Sequence, residues 1–428
     1  MTPKKVLGAC LALWVAGAAT AGERAGETPP APRAPGGVAL LESMEHSGLG
    51  WVVRFAAVER LDARGYRATA TVESVVGSPE RTPQSIALAW EELSSQRAVR
   101  FAKGDRALVV LEPLGTASIW RTRIPDARSR EQTAAVAARG EAFLRDPTIG
   151  AIDVLHHFLS LAPEHRDGPT GVGHLAALTA EARPALARDA ARRLAAVPKL
   201  GEQLTAASAA RLVTALARED LGTSFEKLWG PTVAAARGET LDRALEQAVA
   251  ASRPGRPPPP IYEAIGLASG GLPDDTVAAL KDDPDVRYRT IVARTARDVP
   301  VLESLASSDP VPDVRSAALQ RLDELGGANA LPALLAALAD PNAAVRNVAA
   351  RATAARGDAA VPLLRSVVYG EYAAVAGSAD AQRSAIAALG MAGSSGRRTL
   401  AEIAAEHPEE SLRTLANIAL GNLDTHDH

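Results

Sequence analysis

The sequence predicts an α+β multidomain chain, with a small antiparallel β-barrel-like domain followed by an α-helical solenoid. Three observations predict it. Apolar and polar residues alternate in short runs between residues 50 and 123. A helical period takes over from about Pro125. Toward the C-terminus several unrelated residue types recur with a period of about 30 residues, the signature of stacked helical pairs.

Composition narrows the function classes. The 428 residues allow two or three domains. Hydrophobic residues make up 47% and charged residues 23%, so the chain can bury a core, which argues against wholesale disorder. Aromatic residues are only 4%, which argues against aromatic-lined pockets. The formal net charge of −3 supplies no basic stripe, so no nucleic-acid partner is expected.

Residues 1–21 read as an export signal. Lys4 and Lys5 precede an apolar run from Val6 to Ala19, too short to span a membrane. Ala19-Thr20-Ala21 then fits the small-x-small cleavage pattern. The only cysteine, Cys10, lies inside this segment. A chain cut after Ala21 has no cysteine, which excludes disulfides, thiolate catalysis and cysteine-based zinc sites. The expected location is the periplasm or, beyond it, the medium, with no integral membrane segment after cleavage. Residues 22–36, GERAGETPPAPRAPG, read as a disordered Pro- and Ala-rich tether.

Residues 37–125 read as the β domain. Tyr66, Ala68, Ala70 and Val72 alternate with Arg67, Thr69, Thr71 and Glu73, the pattern of a half-buried strand. GWVVRFAAVERL, QSIALAW, GDRALVVLEPL and ASIWRTR complete five expected strands, with the loop DARG between the first two. Trp51, Trp90 and Trp120 fall in this region and suit one small core. The first strand ending AAVERL, the second ending VESVVG and the late GDRALVVLEPLG resemble the OB-like β domain that precedes other modules in exported bacterial proteins.

Residues 126–252 read as helical. Ile152, Leu155 and Leu159 share one face, widened by Val154, Phe158 and Leu161. Residues 253–260 include four consecutive prolines and form a stiff extended connector.

Residues 261–424 carry the repeat. Val299-Pro300, Leu331-Pro332 and Val361-Pro362 recur, as do Asp309-Pro310 and Asp340-Pro341, and arginines recur at 287, 315, 346, 383 and 413. Each period reads as two helices. Asp340 is expected to cap the first and Pro341 to sit at its first position, where the N–H has no partner anyway. Val345, Val348, Ala349 and Ala352 form that helix's apolar face. Gly357 is expected to end it in a left-handed conformation and Asp358 to cap the next. Leu363, Leu364, Val367 and Val368 form the second apolar face. Neither helix can hide its face alone, so the units must stack. The arginines are expected to form a structural ladder with Asp309 and Asp340, namely Arg315, Arg346, Arg383 and Arg413, each reaching an Asp or a helix end of an adjacent repeat.

DPVPDVRSAALQRLDELGGANALPALLAAL from Asp309 and DPNAAVRNVAARATAARGDAAVPLL from Asp340 resemble the HEAT repeat family, in particular the short bacterial type also found in phycobilisome lyases. The resemblance covers residues 260–423, and residues 126–252 lack its marks and read as degenerate repeats. It implies a solenoid that presents a surface to a protein partner of unknown identity.

No HExxH, Walker A, GxSxG or GxGxxG motif is present. No catalytic, cofactor-binding or metal-binding residue is therefore assigned, and no cofactor is expected. His156, His157, Glu164 and His165 are badly spaced for a metal and read as surface or half-buried groups. The repeat before Arg383 is about six residues longer than its neighbour, and the extra segment carries Tyr369 and Tyr372. Insertions in solenoids map to one face and tyrosine favours interfaces, so these two are the candidate partner contacts; the alternative is that both pack on a neighbouring helix. The expectation is an exported, non-enzymatic scaffold. A lyase-like or ligand-handling protein and a structural protein of the cell envelope are the alternatives.

Overall fold

The computed structural model describes residues 40–79, 81–91, 101–114, 118–136, 143–221, 225–252, 256–326 and 330–426. The export signal with Ala19 and Ala21, the tether and part of the Pro-rich connector lie outside the described residues. The chain divides into two units, residues 1–256 and 257–428.

The first unit opens with helix α1 (Leu40–Ser47), whose Leu40, Leu41 and Met44 are buried. Among the described residues seven strands follow: β1 (Gly50–Arg60), β2 (Gly65–Val76), β3 (Ser85–Glu91), β4 (Arg106–Val109), β5 (Leu111–Pro113), β6 (Thr133–Val136) and β7 (Phe143–Arg145). They form one curled, half-barrel sheet in the order β5-β6-β3-β2-β1-β4-β7. All neighbours are antiparallel except β3 and β6, which run parallel through Ala87–Thr133 to Ala89–Ala135. Only Val110 separates β4 from β5, yet β4 pairs with β1 and β5 with β6. Two irregularities in β1, at Val52/Val53 and Phe55/Ala57, sharpen the sheet's curl. The expected alternation in β2 holds, because Ala68 and Ala70 are buried with Phe55, Leu88 and Trp90 in one core.

Two differences from the sequence expectation stand out. ASIWRTR is a helix, α2 (Ser118–Arg123), and not a strand. Helical spacing lets Trp120 and Ile124 bury against Ala89 while the Arg123 guanidinium lies 5.1 Å over the Trp120 ring. After helix α3 (Ala127–Glu131), TAAV and FLR are strands β6 and β7, within a stretch expected to be helical. Their alanine-rich context favours helix locally, and pairing with β3, β5 and β4 overrides it.

The remaining helices of this unit are α4 (Ile149–Ser160), α5 (Pro169–Glu181), α6 (Pro184–Ala195), α7 (Leu200–Gln203), α8 (Ala206–Leu216), α9 (Phe225–Ala235) and α10 (Glu239–Ala251). The face predicted for α4 is buried at Ile152, Leu155, Phe158 and Leu159. Arg166, itself buried, donates to the carbonyls of Leu159 and Leu161 and satisfies the C-terminal end of α4. Helix α1 is held to α6 at two points. The Leu40 amide donates to Asp189, which is 3% exposed, and Arg193 pairs with Glu45.

The second unit is wholly helical among its described residues: α11 (Pro259–Ala268), α12 (Asp274–Leu280), α13 (Val286–Thr295), α14 (Val299–Ser308), α15 (Pro312–Leu325), α16 (Ala330–Ala337), α17 (Ala343–Ala354), α18 (Val361–Val368), α19 (Ala379–Met391), α20 (Gly393–Glu406) and α21 (Glu410–His426). Helices α11, α13, α15, α17, α19 and α21 stack on one another in sequence as a first layer. The helices between them form a second layer whose members touch one another more sparsely. Alanines at 317, 318, 349, 350, 385 and 388 are buried along the first layer and bring its backbones close.

Candidate functional site

Three successive first-layer helices, α13, α15 and α17, begin at turns that share one design. At Asp283, Asp309 and Asp340 the carboxylate accepts the amide two residues on, from Asp285, Val311 and Asn342. Six residues after each aspartate comes an arginine preceded by a buried apolar residue: Tyr288-Arg289, Val314-Arg315 and Val345-Arg346. Each arginine Nη1 donates back to the carbonyl of its own turn, Arg289 to Asp283, Arg315 to Asp309 and Arg346 to Asp340.

In Arg289 and Arg315 the rest of the guanidinium reaches the next turn. Arg289 donates to Asp309 through Nε at 2.7 Å and Nη2 at 3.3 Å. Arg315 donates to Asp340 at 2.7 and 2.8 Å, and the two side chains are 9% and 7% exposed. These hydrogen bonds raise the pKa of Arg289 and of Arg315, against the opposing effect of burial. Arg289 and Arg315 thus each tie two successive repeats through a planar fork that lysine could not reproduce.

The expected cap assignments shift by two residues. Asn342, not Asp340, caps α17 by accepting the Ala344 amide, while Asp340 serves the turn and Arg315. Pro341 precedes the helix. Gly357 has φ +57°, the left-handed conformation expected, but Asp358 lies in a short 3-10 turn and accepts from Ser395 instead of capping α18.

The ladder's register also differs at two of the arginines. Arg287 pairs with Asp285 in its own turn at the surface, and Arg289 is the linking residue. Two residues on a helix are about 200° apart, so the neighbour in sequence faces another way. In α19 the residue after the buried Ala381 is Gln382, which donates to the Val368 carbonyl at 2.9 Å. Arg383 is exposed and pairs with Asp380 of the same helix. Arg413 donates to the His407 carbonyl at 2.6 Å, as its counterparts do to aspartates. His407 stands in an aspartate's place: it is 4% exposed, and its Nδ1 accepts the Glu409 amide. Asp283, Arg289, Gln382 and His407 were missed by sequence reasoning. The legible signal was a buried-type apolar residue followed by a polar one, six residues after a turn residue that precedes Pro or Gly.

Tyr369 and Tyr372 are half-buried and pack against the core of this unit. The Tyr369 ring centroid lies 4.7 Å from that of His407, and the Arg365 guanidinium carbon lies over the Tyr369 ring, 4.5 Å from its centroid. Beside the inserted segment, α17 and α19 leave a groove of about 190 Å³, lined by alanines together with Arg346, Asn347, Asp380, Arg383 and Ser384. The Asp380 carboxyl is held below its usual range, first by the hydrogen bond from Arg383 and then by the charge of Arg346.

The histidines of the first unit do not assemble a metal centre. His156, His157 and His165 are exposed, and the His157 ring lies 6.0 Å from that of His174. Burial lowers the His174 pKa, helped by the charges of His157 and Arg211. Among the described residues no group of three or more His, Cys, Asp or Glu could hold a metal ion, and no helix is long and apolar enough to cross a membrane.

No curated protein matches the chain. Among solved structures, human deoxyhypusine hydroxylase in complex with glycerol is similar at 17% identity and a TM-score of 0.24, covering 60% of this chain and 97% of that one. A family model for HEAT repeats matches residues 274–353 and 299–379, the stretch that holds the arginine–aspartate ladder. The C-terminal unit therefore contains HEAT repeats.

Proposed function

We propose that the chain is an exported, non-enzymatic scaffold whose HEAT repeats bind a protein partner. One observation carries the reading. Five residues after each linking position, Arg294, Gln320, Arg351, Ala387 and Ile418 are all exposed on successive first-layer helices. They recur at one equivalent position of each stacked helix, and Arg294 there pairs with Glu263 of the preceding first-layer helix. An extended row of varied side chains suits a protein surface better than a small substrate. The export reading draws on Lys4, Lys5 and Ala19-Thr20-Ala21, and the location proposed is the periplasm. The sheet supports an OB-like reading of the β domain: β3 runs parallel to β6, while β4 and β5 act as one strand bridging β1 and β6.

The test is affinity purification of the chain from its native cell envelope, with mass spectrometry of what accompanies it. A stoichiometric protein partner is the expected result. A clean preparation carrying a bound small molecule would overturn the scaffold reading and favour a ligand-handling protein. Replacing Tyr369 and Tyr372 together by Ser tests their part: unchanged partner binding removes them as contacts.

A further inference from the structure

Among the described residues the ladder lacks its carboxylate at Ala376, the turn that Arg346 faces in sequence. The turn residues Asp309 (φ −62°, ψ 132°), Ala376 (φ −55°, ψ 132°) and His407 (φ −63°, ψ 134°) share one backbone conformation. Each lies six residues before a linking residue, respectively Arg315, Gln382 and Arg413. Ala376 is thus the counterpart of Asp309 and Asp340, followed by Gly377 where they have Pro and by the capping Ser378 where Asp340 has Asn342. Its side chain offers no carboxylate.

The consequence falls on Arg346, the arginine that should reach this turn. Its Nη1 is engaged by the carbonyls of Asp340 and Pro341, and Asp380 lies 3.6 Å from the same nitrogen. Its Nε and Nη2 make no hydrogen bond among the described residues, although these two atoms form the fork in Arg289 and Arg315. Ala376 is exposed, whereas Asp309 is 6% exposed. The groove between α17 and α19 opens at Arg346, and its two guanidiniums outnumber the single carboxylate of Asp380. Ala343, Ala350 and Ala387 line it and leave room for an approaching backbone.

We propose that this open position is the docking site for an acidic turn of a protein partner, whose aspartate carboxylate closes the Arg346 fork as Asp309 and Asp340 close the forks before it. The inference rests on the scaffold reading and names the chemistry of its partner. The insertion that carries Tyr369 and Tyr372 runs directly into Ala376, so the extra length and the missing carboxylate belong to the same repeat.

The protein's own turn supplies the probe. A capped, fluorescent copy of residues 307–312, Ser-Ser-Asp-Pro-Val-Pro, is titrated against the purified full chain by anisotropy. Saturable binding is expected, and an Asn-for-Asp peptide should bind roughly tenfold or more weakly, as loss of a charge-assisted pair dictates. Ala376→Asp should supply the carboxylate internally, abolish peptide binding and raise the melting temperature. Asp380→Asn removes the competing carboxylate, leaves the Arg346 turn clamp intact and should tighten binding. Arg346→Gln should abolish it. Failure of the Asp peptide to bind at millimolar concentration overturns the proposal, as does equal binding of the Asn peptide, unchanged affinity in Ala376→Asp, or equally effective competition by acetate or inorganic phosphate. Partner capture from the envelope that survives both Ala376→Asp and Arg346→Gln also overturns it while leaving the scaffold reading intact; absence of capture by the wild-type chain overturns the scaffold reading itself.

Discussion

Arg315→Ala is expected to be among the most destabilising single changes in the second unit. The Arg315 and Asp340 side chains are 9% and 7% exposed, so their charges are nearly out of water. Removing the guanidinium leaves Asp340 with the Asn342 amide alone and takes a donor from the Asp309 carbonyl. Breaking a buried pair by removing one partner costs about 3–5 kcal/mol. For a unit of this size each kcal/mol is worth about 2–4 °C, so the melting temperature should fall by roughly 6–20 °C. Arg287→Ala is the matched control. Its pair with Asp285 is surface-exposed, with Arg287 at 62%, and such pairs contribute about 0–1 kcal/mol.

The assay is urea unfolding of the full chain followed by far-UV circular dichroism. The four tryptophans beyond the export signal, Trp51, Trp90, Trp120 and Trp229, all precede residue 257, so their fluorescence follows the first unit and checks that the loss is local. Arg315→Ala, Asp340→Ala and the double variant form a cycle that isolates the pair. The double variant should be less damaged than the sum of the singles, because it strands no buried charge. An Arg315→Ala cost no larger than that of Arg287→Ala would refute the claim that the ladder links the repeats.

Asp189→Ala should strand the buried Leu40 amide at a cost of about 1–3 kcal/mol, read as faster proteolysis at helix α1. Arg123 and the amides of Arg64 and Gly65 hold the Asp62 carboxyl down from 3.8 to about 2. The folded value lies below the unfolded one, so this contribution is full above about pH 4 and is lost as pH falls through about 2. Asp62→Asn should flatten the acid limb of unfolding monitored by tryptophan fluorescence. A Cβ at Gly171 would collide with the Arg166 carbonyl oxygen, which is backbone and cannot swing aside. Gly171→Ala should therefore lower stability by about 1–3 kcal/mol in the same unfolding assay.

The sequence by itself determined the classes of structure and much of their cores. Period-2 alternation placed Ala68 and Ala70 inside the sheet, and period-3.6 runs placed Leu155 and Leu159 inside α4. The recurrence of Asp-Pro and Val-Arg marked the repeats, because a turn and its clamp must be built afresh in every helical pair. These signals are local, and each residue's neighbours along the chain suffice to express them.

Tertiary structure decided what depends on residues far apart in sequence. TAAV and FLR became strands because β3, β5 and β4 offered them edges, against their local preference. ASIWRTR became a helix because only that period lets Trp120 and Ile124 share a wall with Ala89. The ladder shows the division most clearly. Spacing alone chose Arg287 and Arg383, whereas burial of Tyr288 and Ala381 selects Arg289 and Gln382, since a slip of one or two residues turns a side chain about 100° or 200° around its helix. Whether Ala376 stands in an aspartate's place could be seen only when its backbone was set beside that of Asp309, because alanine carries no mark of the role it leaves empty.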